Sequence, residues 1–232
     1  MAGLSDARPV DCRHTADVPA GMDLSGHTRD NRGCGNRFMG LSDDIRNRKR
    51  RNETDYWHDI DPGKEPPERL NIIIEIPQGS QNKYELDKKT GIFKLDRVLF
   101  SAVHYPGDYG IIPGTLAKDG DPLDALVLIT YPTYPGVLIE SRPIGILRMI
   151  DGDKEDDKIL AAPLKDTRFS AIKDIDDIEG AILNEIAHFF SIYKQLEGRE
   201  VEIRGWEGVE SAHGIIMESI EAYDSTYGKN SK

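Results

Sequence analysis

The chain has 232 residues and a formal charge of −11, from 41 acidic side chains against 30 Lys and Arg. That length suits one domain, or one domain with an appendage. The charge argues against non-specific nucleic-acid binding and against docking on anionic membrane, because both need a cationic surface. No apolar run approaches the roughly 20 residues of a membrane span, and no apolar signal core follows Met1, so a soluble, cytoplasmic protein is expected.

Residues 1–52 form a segment of their own. Gly, Asp, Arg and Ser dominate, large apolar side chains are few, and the stretch ends in the basic run Arg46-Asn47-Arg48-Lys49-Arg50-Arg51. Such a composition does not bury enough apolar surface to offset ordering entropy, so a disordered extension is expected. Polyanion binding and a passive extension both remain open for it. Cys12 and Cys34 lie here, and residues 53–232 have no cysteine. A reducing compartment fits that usage, although a disulfide between the two stays open.

From Tyr56 onward the texture is that of a folded domain. Residues 70–76 read as a strand closed by Pro77-Gln78-Gly79. Residues 83–87 alternate, and the Thr90-Gly91 turn leads into a second strand at 92–95, which predicts a hairpin. Residues 105–110, rich in Tyr, Pro and Gly, read as a loop. The branched run at 125–129 reads as a buried strand, 137–150 as a long extended stretch with a break at Pro143, and 158–162 as a further short strand. Two helices follow. Ile182, Leu183, Ile186, Phe189, Phe190, Tyr193 and Leu196 recur at helical spacing up to Gly198, and Val209, Ala212, Ile216, Ile220 and Tyr223 do the same over about 209–223. Strands first and helices afterwards predict a mainly β domain of the α+β class, a barrel or strongly curved sheet with two C-terminal helices packed outside it.

The chemistry concentrates in Asp119-Gly120-Asp121-Pro122-Leu123-Asp124. Gly120 permits a sharp turn and Pro122 stiffens it, so three carboxylates are held close together at the mouth of a strand. Oxygen donors of this kind suit a hard cation such as Mg²⁺, though a solvated acidic turn fits the string as well. A calcium-binding helix–loop–helix is excluded, because the sixth position from Asp119 is Asp124 where that loop needs Gly. Asp151-Gly152-Asp153-Lys154-Glu155-Asp156-Asp157-Lys158 repeats the crowding between two strands. Alone it reads as a charged surface hairpin. Together the two clusters suit cations about 3.5–4 Å apart, the arrangement used for displacement at phosphorus.

Several strings then agree in order: Glu75 in Ile-Glu-Ile-Pro, Lys83-Tyr84-Glu85-Leu86-Asp87, Asp96-Arg97, Tyr105-Pro106-Gly107-Asp108-Tyr109-Gly110, the hexapeptide, Asp151 with Asp156 and Lys158, and His188-Phe189-Phe190-Ser191-Ile192-Tyr193-Lys194. With these the chain resembles the family I soluble inorganic pyrophosphatases of bacterial and archaeal type, from about Tyr56 to the C-terminus. The resemblance implies a catalytic domain over 53–232, a small closed OB-like β-barrel, a homo-oligomer with a hexamer favoured, and Mg²⁺-dependent hydrolysis of pyrophosphate by direct in-line attack of water. It implies metal ligation by Glu75, Asp119, Asp124, Asp151 and Asp156, with Asp121 as general base. Lys83, Arg97, Lys158, Tyr193 and Lys194 match the phosphate-holding positions, and Glu85, Tyr105 and Tyr109 match supporting groups.

Each residue also has an ordinary reading. Tyr193 falls on an apolar helix stripe, Lys194 suits a helix C-terminus, and Lys83 and Arg97 suit a strand surface. His104 and His188 lack zinc-like spacing, and Trp57 and Trp206 read as packing residues. Two rival functions stay open: an acidic module without catalysis, and a phosphohydrolase acting on organic phosphates, which needs a larger apolar pocket.

Overall fold

The structure, a computed structural model, describes residues 54–228. The disorder expected over 1–52 lies outside the described residues. Among the described residues, nine strands and two α-helices follow in the order β1 (Leu70–Ile76), β2 (Asn82–Asp87), β3 (Ile92–Val98), β4 (Asp108–Ile112), β5 (Leu123–Val127), β6 (Leu138–Asp151), β7 (Lys154–Glu155), β8 (Lys158–Pro163), α1 (Gly180–Ile192), β9 (Val201–Glu207) and α2 (Val209–Tyr227). Over these residues the fold is mainly β with two α-helices.

Strand pairing is cyclic: β1 pairs β4, β4 pairs β5, β5 pairs β8, β8 pairs β6, and β6 returns to β1. Only the β5–β8 pairing in this cycle is parallel. The long strand β6 also carries β7 and β9, and β2 with β3 form the expected hairpin as a separate two-stranded sheet.

Alternate residues of the same strands feed two cores. Ile76, Leu126, Leu147, Met149 and Leu160 pack with Ile186, Phe189 and Phe190 of α1. Their neighbours Ile74, Ala125, Val127, Ile146, Ile159 and Ala161 pack with Ala212 and Ile216 of α2. Period-two side chains covered on both faces explain why these strands read as continuous apolar runs. Gly110 shows how close the strands come, since a Cβ there would lie 2.0 Å from the Ile73 carbonyl oxygen.

Four expectations are corrected. The loop expected at 105–110 gives way at Asp108 to β4, whose five residues are all buried. Asp108 belongs there because its carboxylate accepts the N–H groups of Gln78 (2.7 Å) and Thr133 (3.0 Å). Pro143 does not break β6; its missing N–H is absorbed by a register shift against β8 between Pro143 and Gly145. The strand β9 lies between the helices, so strands do not all precede helices. Finally, α1 ends at Ile192 and Leu196 is 67 % exposed, so the apolar stripe was read one turn too far. Gly198, at φ 73, closes a short 3-10 turn over Gln195–Glu197.

Candidate active site

The hairpin and the first acidic loop converge on a cavity of about 210 Å³. Glu75 of β1, Lys83 and Glu85 of β2, Tyr109 of β4, Asp119 and Asp121 of the loop before β5, and Asp124 of β5 line it, together with Trp57 and Lys88. Gly120 turns that loop at φ +98, a value that side-chain-bearing residues rarely adopt. The Asp121 N–H donates to Asp119 Oδ1 (3.0 Å), and the Asp121 carbonyl accepts from Ala117 N (2.7 Å), which fixes the bend.

Register brings the second acidic loop to the first. In the parallel β5–β8 pairing Asp124 stands opposite Lys158, and Lys158 Nζ donates to Asp124 Oδ2 at 2.7 Å and also to Asp156. Lys158 is 2 % exposed. Burial alone would lower its pKa, but Asp124 and Asp156 outweigh it and hold the ammonium protonated well above the ordinary lysine range. Asp151, at the end of β6, pairs with Lys194 just after α1. Tyr193 is a buried α1 cap set edge-on to Phe190, and Tyr105 packs on Phe189. Burial raises the pKa of Tyr105, Tyr109 and Tyr193, and the charge of Asp124 adds to the shift in all three.

On the hairpin Lys83 stands opposite Arg97. Lys83 pairs with Glu85 and, at 3.6 Å, with Asp96. The Arg97 guanidinium donates through Nε to Glu197 at 2.9 Å and through Nη1 to Asp96. Arg97, Asp151, Asp156, Lys158, Tyr193 and Lys194 do not line the cavity itself. Lys158 links Asp156 to it through Asp124, and the Tyr193 phenol feels Asp156, Asp151, Asp124 and Arg97 together.

Glu75 is buried, with one oxygen accepting the Leu86 N–H at 2.7 Å. Burial pushes its pKa up to about 8, and Asp124 adds to the shift. A carboxyl raised in the folded state stabilises the fold while protonated and loses that advantage as pH rises from about 4.5 through about 8. Glu75→Gln keeps an acceptor for Leu86 and removes the charge. In chelator-treated protein its melting temperature is therefore expected to exceed that of the parent by several degrees at pH 8 and to match it near pH 4.5. Equal melting temperatures at both pH values would contradict a strained Glu75.

Among the described residues, no three acids stand together at metal-ligating separations. Lys158 stands between Asp124 and Asp156, Lys88 pairs with Asp121, and Lys83 pairs with Glu85. The donor set nonetheless fits a hard cation: it is all oxygen, and burial together with neighbouring carboxylates raises both Glu75 and Asp119. A divalent cation would relieve that strain.

Lys88 and Glu197 are not singled out by the sequence. Lys88 contacts Asp121 from the turn just beyond the Lys83–Asp87 string, and Glu197 holds Arg97 together with Asp96 of the Asp96-Arg97 string. Trp57, read as packing, is buried yet also walls the cavity. A contact between residues 97 and 197 leaves no local trace in a sequence. Lys88 sits off the alternation of β2 and so looked like an ordinary turn lysine.

A mainly β framework lines one small cavity with carboxylates and lysines and holds Arg97 nearby on the hairpin, the chemistry of a hydrolase that handles small, highly charged anions. Residues 72–224 match the family model described as inorganic pyrophosphatase. The chain is 53 % identical over 154 residues to the inorganic pyrophosphatase of Synechocystis sp., covering 66 % of this chain and 91 % of that protein. It is 54 % identical over 155 residues to that of Geobacillus stearothermophilus, covering 67 % and 94 % respectively. The crystal structure of inorganic pyrophosphatase from Thermus thermophilus superposes with a TM-score of 0.72 at 44 % identity, covering 74 % of this chain and 99 % of that one. The chain belongs to the inorganic pyrophosphatase family.

Proposed function

We propose that the protein hydrolyses inorganic pyrophosphate to two orthophosphates with Mg²⁺, by direct in-line attack of water and without a covalent intermediate. The observation that carries this reading is the convergence of Glu75, Lys83, Asp119, Asp121 and Asp124 on one cavity of about 210 Å³. More than half of the residues that line it are charged, which suits two linked phosphates better than the organic group of a nucleotide.

Asp119, Asp124 and Asp156 would hold the activating divalent charge, and Asp151 with Asp156, and Glu75, would hold the ions that accompany substrate. Bound Mg²⁺ supplies neutralisation of the polyanion and a lowered pKa for the attacking water. Arg97 grips a phosphate through its guanidinium fork, while Lys83, Lys158 and Lys194 act as point charges and Tyr193 donates its hydroxyl. Asp121 takes the proton of the attacking water, whose oxygen bonds to one phosphorus as the bridging P–O bond breaks and the second phosphate leaves. Glu85, Tyr105 and Tyr109 support these groups.

The cyclic strand pairing supports a small closed barrel of the OB type. We further place the catalytic unit in residues 53–232 with 1–52 as an appendage, and read the assembly as a homo-hexamer. The lack of cysteine in 53–232 supports a cytoplasmic setting. Among the described residues no helix is long and apolar enough to cross a membrane.

Phosphate release from pyrophosphate, ATP and a phosphomonoester, each with Mg²⁺ and with chelator, tests the reading. Rapid turnover of pyrophosphate with Mg²⁺ alone is expected. Its absence would sink the proposal, and equal turnover of ATP would favour the organic-phosphate alternative.

A further inference from the structure

We infer that Lys88 is a positioning residue for Asp121, with the indole of Trp57 as its platform; this rests on the reading of Asp121 as the base. Lys88 Nζ donates to Asp121 Oδ1 and lies 4.8 Å from the centroid of the Trp57 ring. Asp121 needs such a partner. Its backbone is fixed, but its side chain is 62 % exposed, and among the described residues Lys88 is its sole ion-pair partner. A carboxylate left to rotate in water presents its oxygens in no fixed direction, and a displaced catalytic group loses rate steeply. Held through Oδ1, the carboxylate keeps Oδ2 to accept a proton.

The platform is rigid from both sides. Trp57 Nε1 donates to the Thr115 carbonyl (2.8 Å), and Gly114 N donates to the Trp57 carbonyl (2.9 Å). Thr115 Oγ1 in turn accepts from Leu123 N at 2.9 Å, inside the acidic hexapeptide. The ring that carries Lys88 and the loop that carries Asp121 therefore hang on one residue. The backbone of Lys88 is held too, because Asp87 Oδ1 accepts from Lys89 N (3.0 Å) and Thr90 N (3.2 Å) at the turn. An ammonium over an indole face is attracted by the ring quadrupole, which restrains an otherwise free lysine stem.

An exposed ion pair of purely structural standing contributes little to stability, and its loss should not touch turnover. Positioning gives a different pattern. In the full chain at saturating Mg²⁺, Lys88→Met is expected to lower kcat about 10-fold, with KM for pyrophosphate and the melting temperature essentially unchanged. Lys88→Arg should recover most of the loss. In an Asp121→Asn background Lys88→Met should cost nothing more, because the carboxylate it orients is gone. A parental kcat for Lys88→Met beside an impaired Asp121→Asn overturns the inference alone. So does a rise in KM without a fall in kcat, which would put Lys88 on a substrate phosphate, and so does a full further loss in the Asp121→Asn background. Full activity of Asp121→Asn by itself would instead remove the base reading on which the inference stands.

Discussion

Asp121→Asn is expected to lower kcat by about 10²–10⁴-fold at saturating Mg²⁺ while the fold stays intact. Asn matches Asp in shape but accepts no proton at neutral pH. The bend that carries residue 121 is made by backbone: its N–H to Asp119 Oδ1, its carbonyl to Ala117 N, and Gly120 at positive φ. None of these depends on the side-chain charge. The ion pair to Lys88 goes, but both partners are exposed and its share of stability is small. Steady-state kinetics beside a thermal melt therefore separate the two effects. A variant with full turnover would strip Asp121 of the base role, and one with a collapsed melt would show that the charge has a structural duty instead.

Lys158→Met should act on stability as strongly as Asp121→Asn acts on rate. The substitution keeps a long apolar stem and deletes the ammonium between Asp124 and Asp156. Removing one partner from a buried ionic group leaves uncompensated charge, which costs about 3–5 kcal/mol. The raised pKa of Lys158 fixes the window: its contribution is fully present below the ordinary lysine value of 10.5 and fades only as pH climbs above it. Urea unfolding at pH 7 in chelator should show the whole loss, and adding Mg²⁺ should shrink it, since divalent charge replaces what the lysine supplied. A loss of the same size with and without Mg²⁺ would assign the effect to packing. No loss in chelator would show that the two carboxylates tolerate each other unaided.

These two residues also mark what can be read from a linear chain. Asp121 announces itself because it shares six consecutive positions with a glycine, a proline and two more acids. Lys158 is legible as a basic residue beside acids, but its place between Asp124 and Asp156 depends on a parallel register joining residues 34 apart. Strands covered on both faces, such as β1, β5 and β8, were legible as apolar runs, and the β2–β3 hairpin from its alternation and turn. Two strands were hidden for physical reasons. In β4, Asp108 and Gly110 look like loop residues, although the first is buried by hydrogen bonds and the second is demanded by Ile73. In β9, charged Glu202, Arg204 and Glu207 mask a partly covered strand whose alternation is interrupted at Gly205, φ 119. Lys88 and Glu197 stayed hidden because their partners are distant in sequence.

The parallel pairing of β5 with β8 also sets where such a chain can change length. Surface connections away from the site can be lengthened or shortened at modest entropic cost. An insertion or deletion of a single residue inside either strand would turn every following side chain to the opposite face, carrying Asp124 or Lys158 out of the site and Leu126 or Leu160 out of its core. Variation in length should therefore stay out of these strands and out of the acidic segments just before them, and the four paired positions from Asp124 to Val127 form a reading frame that the rest of the site must keep.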